Sequence, residues 1–244
     1  MKTEDLYSEI VKELEAKGDA RLARLDKYYH KVSGYKSYGI RGPEFGELIK
    51  ARRTVFKQLS LPERLQLARM LFKSGFSEQG TYGIVVLSQG VEEMEPSHLG
   101  FLDEMAGHLN NWATTDGFCM AVVQPLLLAH PRETLRLLSK WNRSESLWKR
   151  RASVVAFTRK VGAGGEFTDE ALELCDSLIW DGEDMVRKGV GWALNDCMRG
   201  DKTKVVDYVK GLRQKGVSSV ITLYAMRDLK GNERKQVLTI KSQI

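Results

Sequence analysis

The run Asn110-Asn111-Trp112-Ala113-Thr114-Thr115-Asp116, followed by an apolar stretch through Ala129, decides how this chain is read. Trp112 and Asp116 are four positions apart, so on a helix they lie one above the other on a single face. Two later runs answer it: Trp148-Lys149-Arg150-Arg151 and Gly191-Trp192-Ala193-Leu194. Trp112 to Arg151 and Arg151 to Trp192 are each a step of roughly 40 residues, a period typical of stacked paired-helix repeats. In such a stack equivalent positions fall on one side. A carboxylate, a guanidinium and two indoles are then expected on one concave surface.

Working outward, Leu6, Ile10, Val11 and Leu14 recur at helical spacing and predict an amphipathic first helix over 4–17. Lys17-Gly18-Asp19 ends it, and Asp19 is placed to cap a second helix running to about Lys31. That helix carries Arg21, Arg24, Lys27 and Lys31 beside Tyr28 and Tyr29, a stripe that reads equally as a phosphate-binding face or a solvated one. The segment 33–44 is a loop with three glycines, and its Pro43 suits the first turn of a helix over 44–58. Further helices are predicted over 61–73, 77–91, 96–109, 111–129, 132–142, 146–161, 168–180, 183–199, 202–214, 217–229 and 231–240. The segment 217–224 has a strand-like composition, but the repeat argues for helix. Val161-Gly162-Ala163-Gly164-Gly165 reads as a hairpin turn, because no strand precedes its glycines and no Lys-Ser or Lys-Thr follows.

Helices of about 12–18 residues joined by short breaks, with no shift of composition, predict one all-α domain over residues 1–244. The architecture expected is a right-handed α-solenoid of HEAT-like helical-hairpin repeats with a concave basic surface. The chain carries a formal net charge of +6, which suits nucleic acid, an anionic membrane surface or a merely basic protein. Its three cysteines, Cys119, Cys175 and Cys197, lack metal-type spacing and are expected as buried free thiols of a reducing compartment. No apolar run approaches the roughly 18 residues of a membrane span. No signal-peptide core follows Met1 either, so the cytoplasm, in association with the nucleoid, is the expected place. His30, His98, His108 and His130 show neither metal nor dyad spacing and read as caps or surface groups. Trp141, Trp148 and Trp180, near helix ends among leucine and isoleucine, are assigned to packing.

The order of these runs resembles the DNA alkylation-repair glycosylases of the AlkD family, which are HEAT-like solenoids. The resemblance is carried by Trp112 through Asp116, Trp148 through Ala152, and Lys188 through Leu194. Tyr28-Tyr29-His30-Lys31 and Tyr38-Gly39-Ile40-Arg41-Gly42-Pro43-Glu44 extend it upstream, so it covers nearly the whole chain. It implies excision of N3- and N7-alkylated purines from duplex DNA, with Asp116 as catalytic carboxylate and Trp112 and Trp192 as aromatic walls. It also implies DNA-backbone contacts from Arg151 and Tyr29, and Lys31 and Arg150 are added as basic neighbours on the DNA side. No metal and no other cofactor is implied; the partner is double-stranded DNA carrying alkylated bases, met by a monomer without a membrane or an obligate protein partner. Two departures stand out: Asn195 follows Leu194 where the family often has arginine, and the step from Tyr29 to Gly39 is about one residue longer, which favours Tyr28 for the tyrosine's place.

These residue types suit that chemistry. Alkylation at N3 or N7 makes the purine cationic and a good leaving group, so the glycosidic bond can break through an oxocarbenium-like state. A carboxylate near C1′ would stabilise that cation, and one carboxylate suffices when the departing base is already charged. Indole faces attract cations by about 0.5–2 kcal/mol each. Two other functions fit the same chain: a non-catalytic HEAT-repeat nucleic-acid binder, and an armadillo-like protein adaptor. The first has no use for a carboxylate beside phosphates; the second is opposed by the basic stripes at 21–31, 149–151 and 199–204.

Overall fold

The computed structural model describes residues 2–30, 32 and 34–242. They are all-helical, with no strand among the described residues beyond an isolated Lys36–Phe76 bridge. Contacts divide the chain into two compact units, Met1–Pro131 and Arg132–Ile244.

The first unit holds α1 (Thr3–Lys17), α2 (Ala20–His30), α3 (Gly42–Gln58), α4 (Leu61–Lys73) and α5 (Ser77–Ser88). Short 3-10 turns lead to α6 (Leu99–Ala106), then α7 (Trp112–Phe118), a π turn at Cys119–Val123 and α8 (Gln124–Ala129). Leu6, Ile10 and Leu14 form the buried stripe that the periodicity of α1 demands, each leaving water for about 1.5–3 kcal/mol. That face meets α4, which in turn packs on α5. Ser60 and Glu63 close a capping box at the start of α4, and Asp19 caps α2 by accepting from the amides of Arg21 and Leu22. Those amides hold the Asp19 carboxyl below the ordinary carboxylate value.

Helix α2 has no buried residue, so propensity and capping alone would leave it marginal. The following loop fastens it. Tyr38 carbonyl accepts from the Asp19 amide, and Glu78 on α5 accepts from both the Gly39 amide and the Ser37 hydroxyl. Gly39 sits at φ +75°, and a Cβ there would stand 2.3 Å from the Ala23 nitrogen. Only glycine allows the loop to lie this close to the first turn of α2.

The second unit holds α9 (Pro131–Asn142), α10 (Leu147–Val155), α11 (Arg159–Gly164), α12 (Thr168–Asp176), α13 (Asp184–Cys197), α14 (Lys202–Gln214), α15 (Ser219–Ala225) and α16 (Gly231–Thr239). Trp141, Val155, Phe157, Val190 and Leu194 are fully buried in its core. Helices α13 and α15 approach closely because Gly191 lacks a side chain; a Cβ there would stand 2.7 Å from Cβ of Tyr224. The segment with strand-like composition is indeed helical, as α15.

Several boundaries differ from the periodicity. The helix expected over 146–161 breaks after Val155, and Arg159 restarts the chain at φ +58°. Its amide is held by the Asp196 carboxylate at 2.7 Å, which supplies what that unfavourable backbone conformation costs. The glycines read as a hairpin turn therefore form the C-terminal half of α11, with Gly165 as its left-handed cap. The helix expected over 168–180 stops at Asp176. All three cysteines are buried and free, as expected. Among the described residues no helix is long and apolar enough to cross a membrane, and no cluster of three or more His, Cys, Asp or Glu side chains could hold a metal.

Candidate active site and nucleic-acid interface

In the first unit the deciding run folds as its residue types require. The Asn111 side chain accepts from the Thr114 amide at 3.0 Å and caps α7. Its backbone carbonyl takes the Thr115 hydroxyl at 2.7 Å, and its amide nitrogen donates to Asn110. Asn110 in turn donates to the Gly75 carbonyl at 2.9 Å, tying the start of α7 to the end of the α4–α5 turn. Trp112 is thereby fixed at the first helical position, half-buried, with Asp116 one turn further along and only 6% exposed.

Tyr29 stands edge-on to the Trp112 ring with centroids 6.4 Å apart. His30 lies 5.8 Å from the same ring and stacks on Tyr35 at 4.3 Å. The histidine is thus part of an aromatic cluster rather than the cap or surface group its spacing suggests, and burial lowers its pKa below the ordinary value. Of the two adjacent tyrosines, Tyr29 is the one beside Trp112, while Tyr28 is 77% exposed. Arg21, Arg24, Lys27 and both tyrosines form the exposed side of α2. Lys31 lies outside the described residues.

In the second unit Arg151 on α10 is 5% exposed and donates through Nη1 to the Met185 carbonyl in the first turn of α13. Gly189 gives its stem room: a Cβ there would stand 3.3 Å from Cγ of Arg151. Arg150 is engaged within the protein. Its Nε donates to Asp181 at 2.6 Å, and Nη1 donates to the carbonyls of Ser144 and Glu145 at 2.9 Å each. Trp192 on α13 is half-buried, with the Arg159 guanidinium 5.4 Å over its ring.

Asn195, standing where an arginine is often found, is 1% exposed and pairs reciprocally with Asp228. Asp228 also takes Arg199; Arg199 and Asn195 pull its carboxyl down to about 2. The basic stripe at 199–204 is consumed the same way, with Lys202 on Glu233 and Lys204 on Asp169. Trp141 and Trp148 are buried as expected, but Trp180 is 63% exposed. The apolar neighbours Leu178 and Ile179 concealed this, since they turn inward while the indole turns out.

A family model described as DNA alkylation repair enzyme matches residues 10–229, and the chain belongs to that family. Its fold is that of a solved chain from Enterococcus faecalis described as a predicted DNA alkylation repair enzyme. The two superpose with a TM-score of 0.73 at 15% identity, over 87% of this chain and 97% of that one. An alkylpurine DNA glycosylase, AlkC from Pseudomonas fluorescens, solved with DNA containing an abasic site analog, is a weaker likeness. Its TM-score is 0.47 at 17% identity, over 76% of this chain and 67% of that one. No curated protein matches the chain.

Proposed function

We propose that this protein is a DNA glycosylase of the AlkD type, which hydrolyses the N-glycosidic bond of cationic N3- and N7-alkylated purines in duplex DNA. The observation that carries the reading is Asp116, a nearly buried carboxylate one helical turn from the half-buried indole of Trp112. A pure backbone binder would carry a cost for such a group beside phosphates, whereas a cationic transition state is stabilised by it.

In this reaction the C1′–N bond breaks with its electron pair passing to the purine nitrogen, which discharges the alkylated ring. Asp116 stabilises the oxocarbenium-like sugar, and its low exposure strengthens that interaction because little water screens it. Water then adds its oxygen to C1′ and releases a proton to Asp116 or to solvent. Trp112 and Trp192 are assigned as aromatic surfaces toward the charged lesion. Tyr29 and Arg151 are assigned to the DNA backbone, and the exposed basic side of α2 supports the first of these. Lys31 keeps its assignment as a phosphate contact. Arg150, whose donors are taken up by Asp181 and two carbonyls, is given a positioning role instead. The protein is proposed to act as a monomer, without metal or organic cofactor.

The test is single-turnover release of 7-methylguanine from a duplex carrying that one lesion, for the native chain and Asp116→Asn together. Release by the native chain alone supports the assignment. Salt-sensitive binding without release of either 7-methylguanine or 3-methyladenine would favour the non-catalytic DNA binder.

A further inference from the structure

Arg159 opens α11 at φ +58°. That left-handed backbone suits glycine, and an arginine held there at a steric cost points to a use for it. The fold's own demand at this position is met by the backbone, since the Arg159 amide donates to the buried Asp196 at 2.7 Å. The side chain has no such duty. Among the described residues its guanidinium meets no carboxylate, and it lies 5.4 Å over the ring of Trp192, a residue assigned to the candidate site.

The charges around that indole are unequal. Exposed Lys160 follows Arg159, and exposed Lys188 lies one helical turn before Trp192; neither has an ion-pair partner among the described residues. The carboxylates of α13, Asp184 and Asp196, are engaged, the first by Arg187 and the second by Arg199 and the Arg159 amide. Asp228, after α15, takes Asn195, Arg199 and Arg227. Glu166 and Glu183 are exposed, but Glu166 follows the end of α11, and Glu183 precedes Trp192 by nine residues, about 13 Å of helix. Three free cations are thus left at the indole, with no free carboxylate within a turn of it along α13.

Such a rim favours an anion. A guanidinium resting on an aromatic face keeps its planar fork for two oxygens of a phosphate. Phosphates are the anions that a duplex presents in regular succession, and the chain belongs to a DNA alkylation repair family. We propose that Arg159, propped on Trp192, binds one phosphodiester of the DNA backbone, with Lys160 and Lys188 strengthening the field around it. This rests on the reading of the protein as a DNA enzyme and gives its Trp192 side a backbone contact beyond Arg151. A contact of this kind positions a duplex without reading its sequence.

The test is the affinity of the full chain for an undamaged duplex, by fluorescence anisotropy over a series of salt concentrations. Arg159→Gly keeps the amide that Asp196 holds and suits the positive φ, so the variant should fold, as a urea unfolding curve would check. It should weaken binding about tenfold at low salt, the scale of a charge-assisted hydrogen bond. It should also lower the log–log salt slope by about 0.9, the counterion release of one phosphate. Arg159→Gln, which retains a side chain, should match it. Arg159→Lys should keep the slope and bind less tightly, because the charge remains and the fork does not. Lys204→Gln, which removes a cation already paired with Asp169, should leave the slope unchanged. An unaltered slope in Arg159→Gly and Arg159→Gln, or the same flattening in Lys204→Gln, overturns the phosphate site while the DNA reading stands. Should the native chain bind no duplex at any salt concentration, both fall.

Discussion

Trp112 and Trp192 each stand four residues before an aspartate on one helix, yet their surroundings have opposite character. In the first unit, Trp112 meets the uncharged rings of Tyr29 and His30. In the second, Trp192 already carries the Arg159 guanidinium over its ring. Asp196, four residues on, accepts from the Arg159 amide and the Asn195 side chain and pairs with Arg199. Asp196 is therefore a fastener: it holds the break between α10 and α11 in its positive-φ conformation. The same Trp-to-Asp spacing serves construction in one unit and is proposed to serve chemistry in the other. Spacing puts two side chains on one face; what meets that face decides their use.

The comparison can be broken or sharpened by substitution. Asp116→Asn should lower excision by about 10²–10³, the usual loss on removing a preorganised electrostatic stabiliser, with duplex affinity unchanged in a parallel titration. Asp196→Ala should act on stability instead, by about 2–3 kcal/mol, because it strands the Arg159 amide. A urea unfolding curve would show this, and excision per folded molecule should be preserved. If the two aspartates exchanged these outcomes, the assignment of roles would be reversed. Next in size, Trp112→Ala should reduce the single-turnover rate about tenfold, within the range of a cation–π contact. Trp192→Ala should cost less, since Arg159 already competes for its ring.

The smallest effect concerns pH. Burial lowers the His30 pKa from 6.5, so the folded state favours the neutral ring. Above pH 6.5 this contribution to stability is complete. As pH falls below 6.5 the unfolded chain takes up the proton first, and the aromatic cluster is progressively weakened. Asp26 is the neighbouring charge that opposes the shift. A melting temperature that declines between pH 6.5 and pH 5, with a shallower decline in His30→Gln, is the expected result.

Helical content was legible because apolar residues recur at helical spacing, as Leu6, Ile10 and Leu14 show in α1. The Asn111 cap and the Trp112–Asp116 face were legible for the same local reason. What escaped was settled by partners distant in sequence. Nothing near Val155 signals the end of α10, because its cause is a carboxylate at Asp196. Nothing near Arg150 reveals Asp181, so a basic pair looked like a phosphate contact when one member is a strut. Trp180 read as packing because its neighbours are apolar, and a turn after Asp176 reverses which way the indole faces. The contact of Tyr29 with Trp112 joins helices far apart in the chain, and nothing local to either residue signals it.

The π turn at Cys119–Val123 has a consequence for how this unit tolerates change in chain length. An α-helix advances about 100° per residue, so a one-residue wide turn rephases everything after it. Cys119, Val122 and Val123 remain buried through that turn, and Leu126 and Leu127 are buried beyond it. Removing one residue between Phe118 and Gln124 would relax the wide turn to an ordinary one with Leu126 and Leu127 still facing the core, whereas a deletion within α7 or α8 itself would shift the phase by about 100°. The wide turn thus acts as a phase shifter. It lets Trp112 and Asp116 keep the face proposed for chemistry while α8 independently keeps the face its packing wants.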